Sequence, residues 1–175
     1  MNNLMLDIET MGTNPNAAIM AIGACYFDPL TGEIGDTFHE QVNLDSYGEI
    51  DAPTVIWWMK QDDEARSKFY DNGNARHINE VLHDFAKFVK RGVQVWGNGI
   101  AFDNVKIDNA YRSRGLKTPW DFWNDRDVRT MVELGKIKGV DPKRDLPFDG
   151  VKHDALADAI HQAKYTSLIY QVLAL

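Results

Sequence analysis

Two carboxylates close an otherwise apolar run near the start of the chain, Leu4-Met5-Leu6-Asp7-Ile8-Glu9. The run reads as a strand, and residues two apart on a strand point to one face. Two like charges on one face repel, so keeping them together is costly unless a cation lies between them. Hard oxygen donors of this kind suit Mg²⁺ or Mn²⁺. The strand therefore has to end at a place where other parts of the chain can complete a cation site.

Two later clusters carry the right chemistry. Asn98-Gly-Ile-Ala-Phe102-Asp103 leads into a predicted helix over 103–114 that Gly115 closes. His153-Asp-Ala-Leu-Ala-Asp158 opens a predicted helix over 154–175, with apolar positions at Leu156, Ile160, Ala163, Leu168, Ile169 and Val172. His153 and Asp158 are five residues apart, a turn of about 140° on a continuous helix, so they would not share a face within one. With Asp154 as N-cap, His153 lies just before the helix and Asp158 in its second turn. Asp103 taken alone also reads as an N-cap. Together the clusters point to phosphodiester hydrolysis assisted by divalent ions.

The elements between these clusters set the fold class. Residues 17–27 form a second, buried strand and Phe38-His-Glu-Gln-Val42 a third, joined by turns at Met11–Asn16 and Asp28–Gly32. Helical spacing follows over Thr54–Gln61 and Ile78–Val89, then a short strand at Val93–Trp96, and a strand end with a helical turn over Asp127–Leu134. Residues 136–152 are irregular. Antiparallel strands followed by alternating helices and strands indicate one α/β domain over residues 1–175.

Composition sets outer limits. The chain has 175 residues, 44% of them hydrophobic, which suits a single domain. No apolar run approaches the roughly 20 residues that cross a bilayer, and no secretory leader is evident, so a cytoplasmic protein with no membrane partner is expected. Cys25 is the single cysteine, read as a buried hydrophobe in a reducing compartment. A net charge of -7 argues against broad coating of nucleic acid and favours short contacts with a strand end.

The three clusters resemble the exonuclease motifs of the DnaQ-like 3′-to-5′ exonuclease superfamily, in its DEDDh branch. Asp7 and Glu9 stand at the first motif, Asn98-x-x-x-Phe102-Asp103 at the second and His153-x-x-x-x-Asp158 at the third. Trp57-Trp58 and Asp127-x-Arg129-Thr130 are similar to the small exonuclease VIII-like and bacterial exoribonuclease group. The resemblance implies a ribonuclease H-like mixed sheet and two ions, Mg²⁺ or Mn²⁺, about 3.5–4 Å apart. It implies that Asp7 bridges both ions, that Glu9 and Asp158 complete one, and that Asp103 holds the other. His153 is implied as general base, with single-stranded 3′ ends of RNA or DNA as substrate, nucleoside 5′-monophosphates as product and a homodimer as one assembly among relatives.

Substrate contacts are implied for Thr10, Asn98 and Trp57. Many relatives carry a bulky apolar wedge four positions after the glutamate, where this chain has the small Thr13. Trp57 or Trp58 offers a stacking platform in its place, one of the two facing the core because adjacent helical residues diverge by about 100°. Trp96, Trp120 and Trp123 read as packing residues. His39, His77, His83 and His161 read as bystanders, and Lys136, Lys138, Lys143, Arg144 and Lys152 as a solvated loop. An inactive nucleic-acid-binding version of the fold and a structure-directed endonuclease are the competing readings.

Overall fold

The computed structural model describes residues 1–67 and 74–174. Its centre is a five-stranded sheet in the order β3-β2-β1-β4-β5. Strands β1 (Asn3–Thr10), β2 (Ile19–Phe27) and β3 (Ile34–Gln41) form the antiparallel part, while β4 (Gln94–Gly97) and β5 (Asp125–Asp127) run parallel to β1. Helices α1 (Ala52–Met59), α2 (Asp63–Ser67) and α3 (Ile78–Phe88) lie between β3 and β4 in sequence. Then come α4 (Asp103–Arg112), α5 (Val128–Ile137), α6 (Pro142–Asp145) and α7 (Ala155–Ala174).

Alternation along β1 divides the molecule. Leu4, Leu6 and Ile8 enter a core shared with Phe85 of α3 and with Ile107 and Tyr111 of α4. Met5 faces the other way, into a core with Phe27, Trp96, Val132 of α5 and Ala163 and Ile169 of α7. Asp7 and Glu9 continue the Met5 side, which α7 covers. Every residue of β2 is buried, as expected for a central strand with helices on both faces. Cys25 is fully buried there, and loss of hydration pushes its thiol up to about 12.

One glycine sets how closely α7 approaches the sheet. A Cβ on Gly23 would lie 2.1 Å from the backbone carbon of Ala155 and 2.3 Å from the nitrogen of Leu156. Gly23 stands opposite Asp7 in the β1–β2 ladder. The helix start therefore rests on the strand pair that carries the first two carboxylates. Asp154 caps α7, its Oδ1 accepting from the Ala157 N–H at 3.0 Å.

Several boundaries differ from expectation. Strand β3 begins at Ile34 rather than Phe38, because its early residues pair with β2 as an edge that needs no apolar pattern. Helix α1 starts at Ala52, where Pro53 occupies the first turn. Within the irregular stretch, Pro142–Asp145 makes one helical turn. Leu168 is 41% exposed rather than packed. Leu175, the expected end of the last helix, lies outside the described residues. Among the described residues no helix is long and apolar enough to cross a membrane.

Candidate active site

β1, β4 and β5 all end on one edge of the sheet, and the acidic residues collect there. Asp7 and Glu9 stand near the end of β1. β4 stops at Gly97, opposite Leu6, so Ile8 lies past the end of that parallel ladder. Asp103 Oδ1 accepts its N–H at 3.3 Å, which places a third carboxylate between the first two. Gly97 permits this, since a Cβ there would sit 2.4 Å from Asn104 Oδ1 and 3.4 Å from Asp103. Asp103 is thus not the N-cap it resembles in sequence. Phe102 holds that position and makes no side-chain cap bond, while the Asp103 carboxylate serves β1.

α7 delivers the rest. Ligand atoms of Glu9, His153 and Asp158 lie within 4.8 Å of one another. Asp158 Oδ2 is buried without a hydrogen-bond partner. His153 has φ +61, the left-handed region that non-glycine residues seldom occupy. That kink, followed at once by the Asp154 cap, lets the imidazole and Asp158 approach the same point although they are five residues apart. Trp57 and Trp58 flank the ring edge-to-face, with centroid separations of 5.0 and 5.8 Å.

The electrostatics follow from crowding in a dry place. Burial, then Asp103, Glu9 and Asp158, hold the Asp7 carboxyl well above the ordinary range. Burial and Asp158 push Glu9 up to about 8, and burial pushes Asp103 up to about 7. Asp158 is also raised, chiefly by burial. Four carboxyls that resist ionisation, one with an orphaned buried oxygen, form a donor set that fits a hard divalent cation.

Other expected residues lie close by in different states. Thr10 donates its hydroxyl hydrogen to the Gly12 carbonyl at 2.8 Å, and its own carbonyl accepts from the Trp58 indole at 3.0 Å. Asn98 Oδ1 is buried without a partner, and the Asn98 carbonyl accepts from Arg129 Nε at 3.1 Å. Of the adjacent tryptophans, Trp58 is 3% exposed and Trp57 44%, so Trp57 alone presents a free face beside His153. Trp96 and Trp120 are packed, but Trp123 is 63% exposed and meets the still more open Phe122 edge-to-face. The packing role expected of Trp123 therefore fails, because the turn before β5 carries it outside the core.

Three residues escape a motif reading. Gln162, on the same face of α7 as Asp158, donates to Asp7 Oδ1 at 2.7 Å. Its signal was the i, i+4 spacing from Asp158. His39 on β3 reaches to 3.9 Å from Asp154, a pairing between distant segments that sequence spacing does not reveal. Lys106 is buried one turn beyond Asp103. A cleft of about 420 Å³ opens from Glu9 and His153 past His39 toward Gln41 and Asn43. The lysines and arginine of the 136–152 stretch line no part of it.

A family model described as the 3′-5′ exoribonuclease Rv2179c-like domain matches residues 2–170. The chain belongs to that family. It is a 3′-5′ exonuclease. The exonuclease is 26% identical, over 192 aligned residues, to an exodeoxyribonuclease of Enterobacteria phage T4, covering 90% of this chain and 84% of the phage protein. Its fold is similar to the nuclease domain of 3′hExo, a DEDDh family member solved bound to rAMP. That match has a TM-score of 0.63 and 18% identity, and covers 96% of this chain and 90% of that one. E. coli exonuclease I in complex with a dT13 oligonucleotide is also similar, at TM-score 0.64 and 15% identity. The match covers 95% of this chain but spans only 40% of exonuclease I. These likenesses show the ribonuclease H-like fold, with its mixed five-stranded sheet between helices.

Proposed function

We propose that this exonuclease removes nucleoside 5′-monophosphates from single-stranded 3′ ends of RNA or DNA, with two Mg²⁺ or Mn²⁺ ions and His153 as general base. The observation that carries the reading is the meeting of Glu9, His153 and Asp158 within 4.8 Å, beside Asp7 and Asp103. Single-stranded substrate is supported by the likeness to a protein solved with dT13, and a nucleoside monophosphate product by the one solved with rAMP.

Asp7, Glu9, Asp103 and Asp158 would hold the ions. When bound, the ions neutralise the four carboxylates, acidify the attacking water and stabilise charge on the phosphate and the departing 3′ oxygen. His153 accepts the proton of that water as its oxygen bonds to phosphorus and the bond to the 3′ oxygen breaks. The flanking indoles of Trp57 and Trp58 limit the swing of the imidazole. The open face of Trp57 supplies a stacking surface for a base, worth about 1–3 kcal/mol. Asn98 and the backbone around Thr10 border the terminal nucleotide.

The test compares release of mononucleotides from matched RNA and DNA oligomers with free or blocked 3′ ends, in Mg²⁺ and in EDTA. Release from free ends that stops in EDTA is expected. Cleavage of a circular single strand at a similar rate would show an endonuclease instead.

A further inference from the structure

One side chain of α7 touches a carboxylate of the acidic cluster without belonging to it. Gln162 is 5% exposed, and its Nε2 donates to Asp7 Oδ1 at 2.7 Å. Its other end, Oε1, is buried with no hydrogen-bond partner among the described residues. Burying an amide with its carbonyl unsatisfied is costly, and an apolar side chain of similar length would fill the space without that penalty. Retention of the amide therefore points to the one bond that it does make.

That bond is aimed at a group that needs a fixed direction. An ionised carboxylate only accepts hydrogen bonds, so with cations bound Nε2 is the end of the amide that can face Asp7. A donor on Oδ1 restrains rotation of the carboxylate about its bond to Cβ and leaves the opposite oxygen to the cations. The backbone supports the same arrangement. Asp7 stands opposite Gly23, on which the start of α7 rests, and Gln162 lies one turn after Asp158 on that helix. A single helix face thus brings one acidic ligand and the donor that orients a second.

We propose that Gln162 is a positioning residue for the exonuclease reaction, its amide holding the Asp7 carboxylate in the orientation in which it takes the cations. This rests on the reading of Asp7 as a cation ligand. Gln162→Met keeps length and burial and removes the donor. Gln162→Asn keeps the amide but withdraws it by one methylene, out of reach of a 2.7 Å contact. Both variants are titrated with Mn²⁺ by calorimetry after stripping with EDTA, melted in EDTA, and assayed on a single-stranded oligomer at saturating Mn²⁺. Loss of a partner that orients a metal ligand corresponds to about 10- to 100-fold, so Mn²⁺ affinity should fall by that factor in each variant. With Mn²⁺ saturating, kcat should fall while KM changes by no more than about twofold, because no substrate contact is removed.

The melting temperature of Gln162→Met in EDTA should match or exceed that of the wild type. In an Asp7→Ala background, adding Gln162→Met should change Mn²⁺ affinity by no more than about twofold, since its partner is already gone. Wild-type Mn²⁺ affinity in either folded variant overturns the proposal. So does an undiminished loss in the Asp7→Ala background, which would make Gln162 a prop for α7. A wild-type protein that binds no Mn²⁺ overturns the cation reading itself, a result distinct from equal binding by wild type and variants.

Discussion

Asp7 stands under the heaviest load of the acidic residues, buried and facing three other carboxyls, while the Gln162 side chain favours its charged form. Replacing it with asparagine removes the charge and keeps an acceptor for Gln162. We predict that Asp7→Asn loses about 100-fold or more in kcat, because stabilisation of charge by bound ions is worth several kcal/mol. The metal-free variant should melt no lower than the wild type, and calorimetric scanning in EDTA checks this. His153→Ala should lose about 10²–10⁴-fold in kcat, the usual contribution of a positioned base, read in single-turnover assays. At this scale the motif residues were legible because their chemistry is visible in residue type and spacing. Gln162 and His39 were not, since each acquires meaning only from a partner far along the chain. Asp103 was legible as a site residue but misleading as a cap, because the N–H it serves belongs to β1.

Elements place those residues, and α7 places two of them. Its expected N-cap, Asp154, is where the sequence puts it, since capping depends on local chemistry. The left-handed turn at His153 was not legible, because no glycine or asparagine marks it. Gly23 was equally silent: an isolated glycine in an apolar strand does not say which helix will press on it. Adding a methyl there would overlap the Ala155 carbonyl carbon and displace the start of α7. We predict that Gly23→Ala lowers stability by about 1–3 kcal/mol, as overpacking does, although glycine-to-alanine changes in strands usually stabilise. Activity should fall with it, since His153 and Asp158 move together. Urea unfolding followed by circular dichroism, with kcat on the folded fraction, measures both.

For the whole molecule, the sheet order gathers three strand ends at one edge, and the acidic cluster there works against folding until cations arrive. Glu9 is raised from 4.5 to about 8 and Asp103 from 3.8 to about 7. Between those limits the folded protein holds protons that the unfolded chain has released. Their contribution to stability is therefore fully present below the unfolded values and is lost as pH rises through the window. We predict that the melting temperature in EDTA falls between pH 5 and 8, and that Mn²⁺ reverses the fall most strongly at the upper end. At 100 times its dissociation constant, one bound ion adds about 2.7 kcal/mol. The mixed α/β character was legible because strand and helix periods differ. The position of β5 at the far edge was not, because Asp125–Asp127 has three residues and no apolar pattern.

The account rests on cations gathered by side chains from both ends and the middle of the chain. Calorimetric titration of EDTA-stripped protein with Mn²⁺, beside Asp7→Asn and Asp158→Asn, tests it most directly. Two bound equivalents in the wild type are predicted, with affinity weakened at least about tenfold in each variant. Equal binding by all three proteins, or no binding by any, would contradict it.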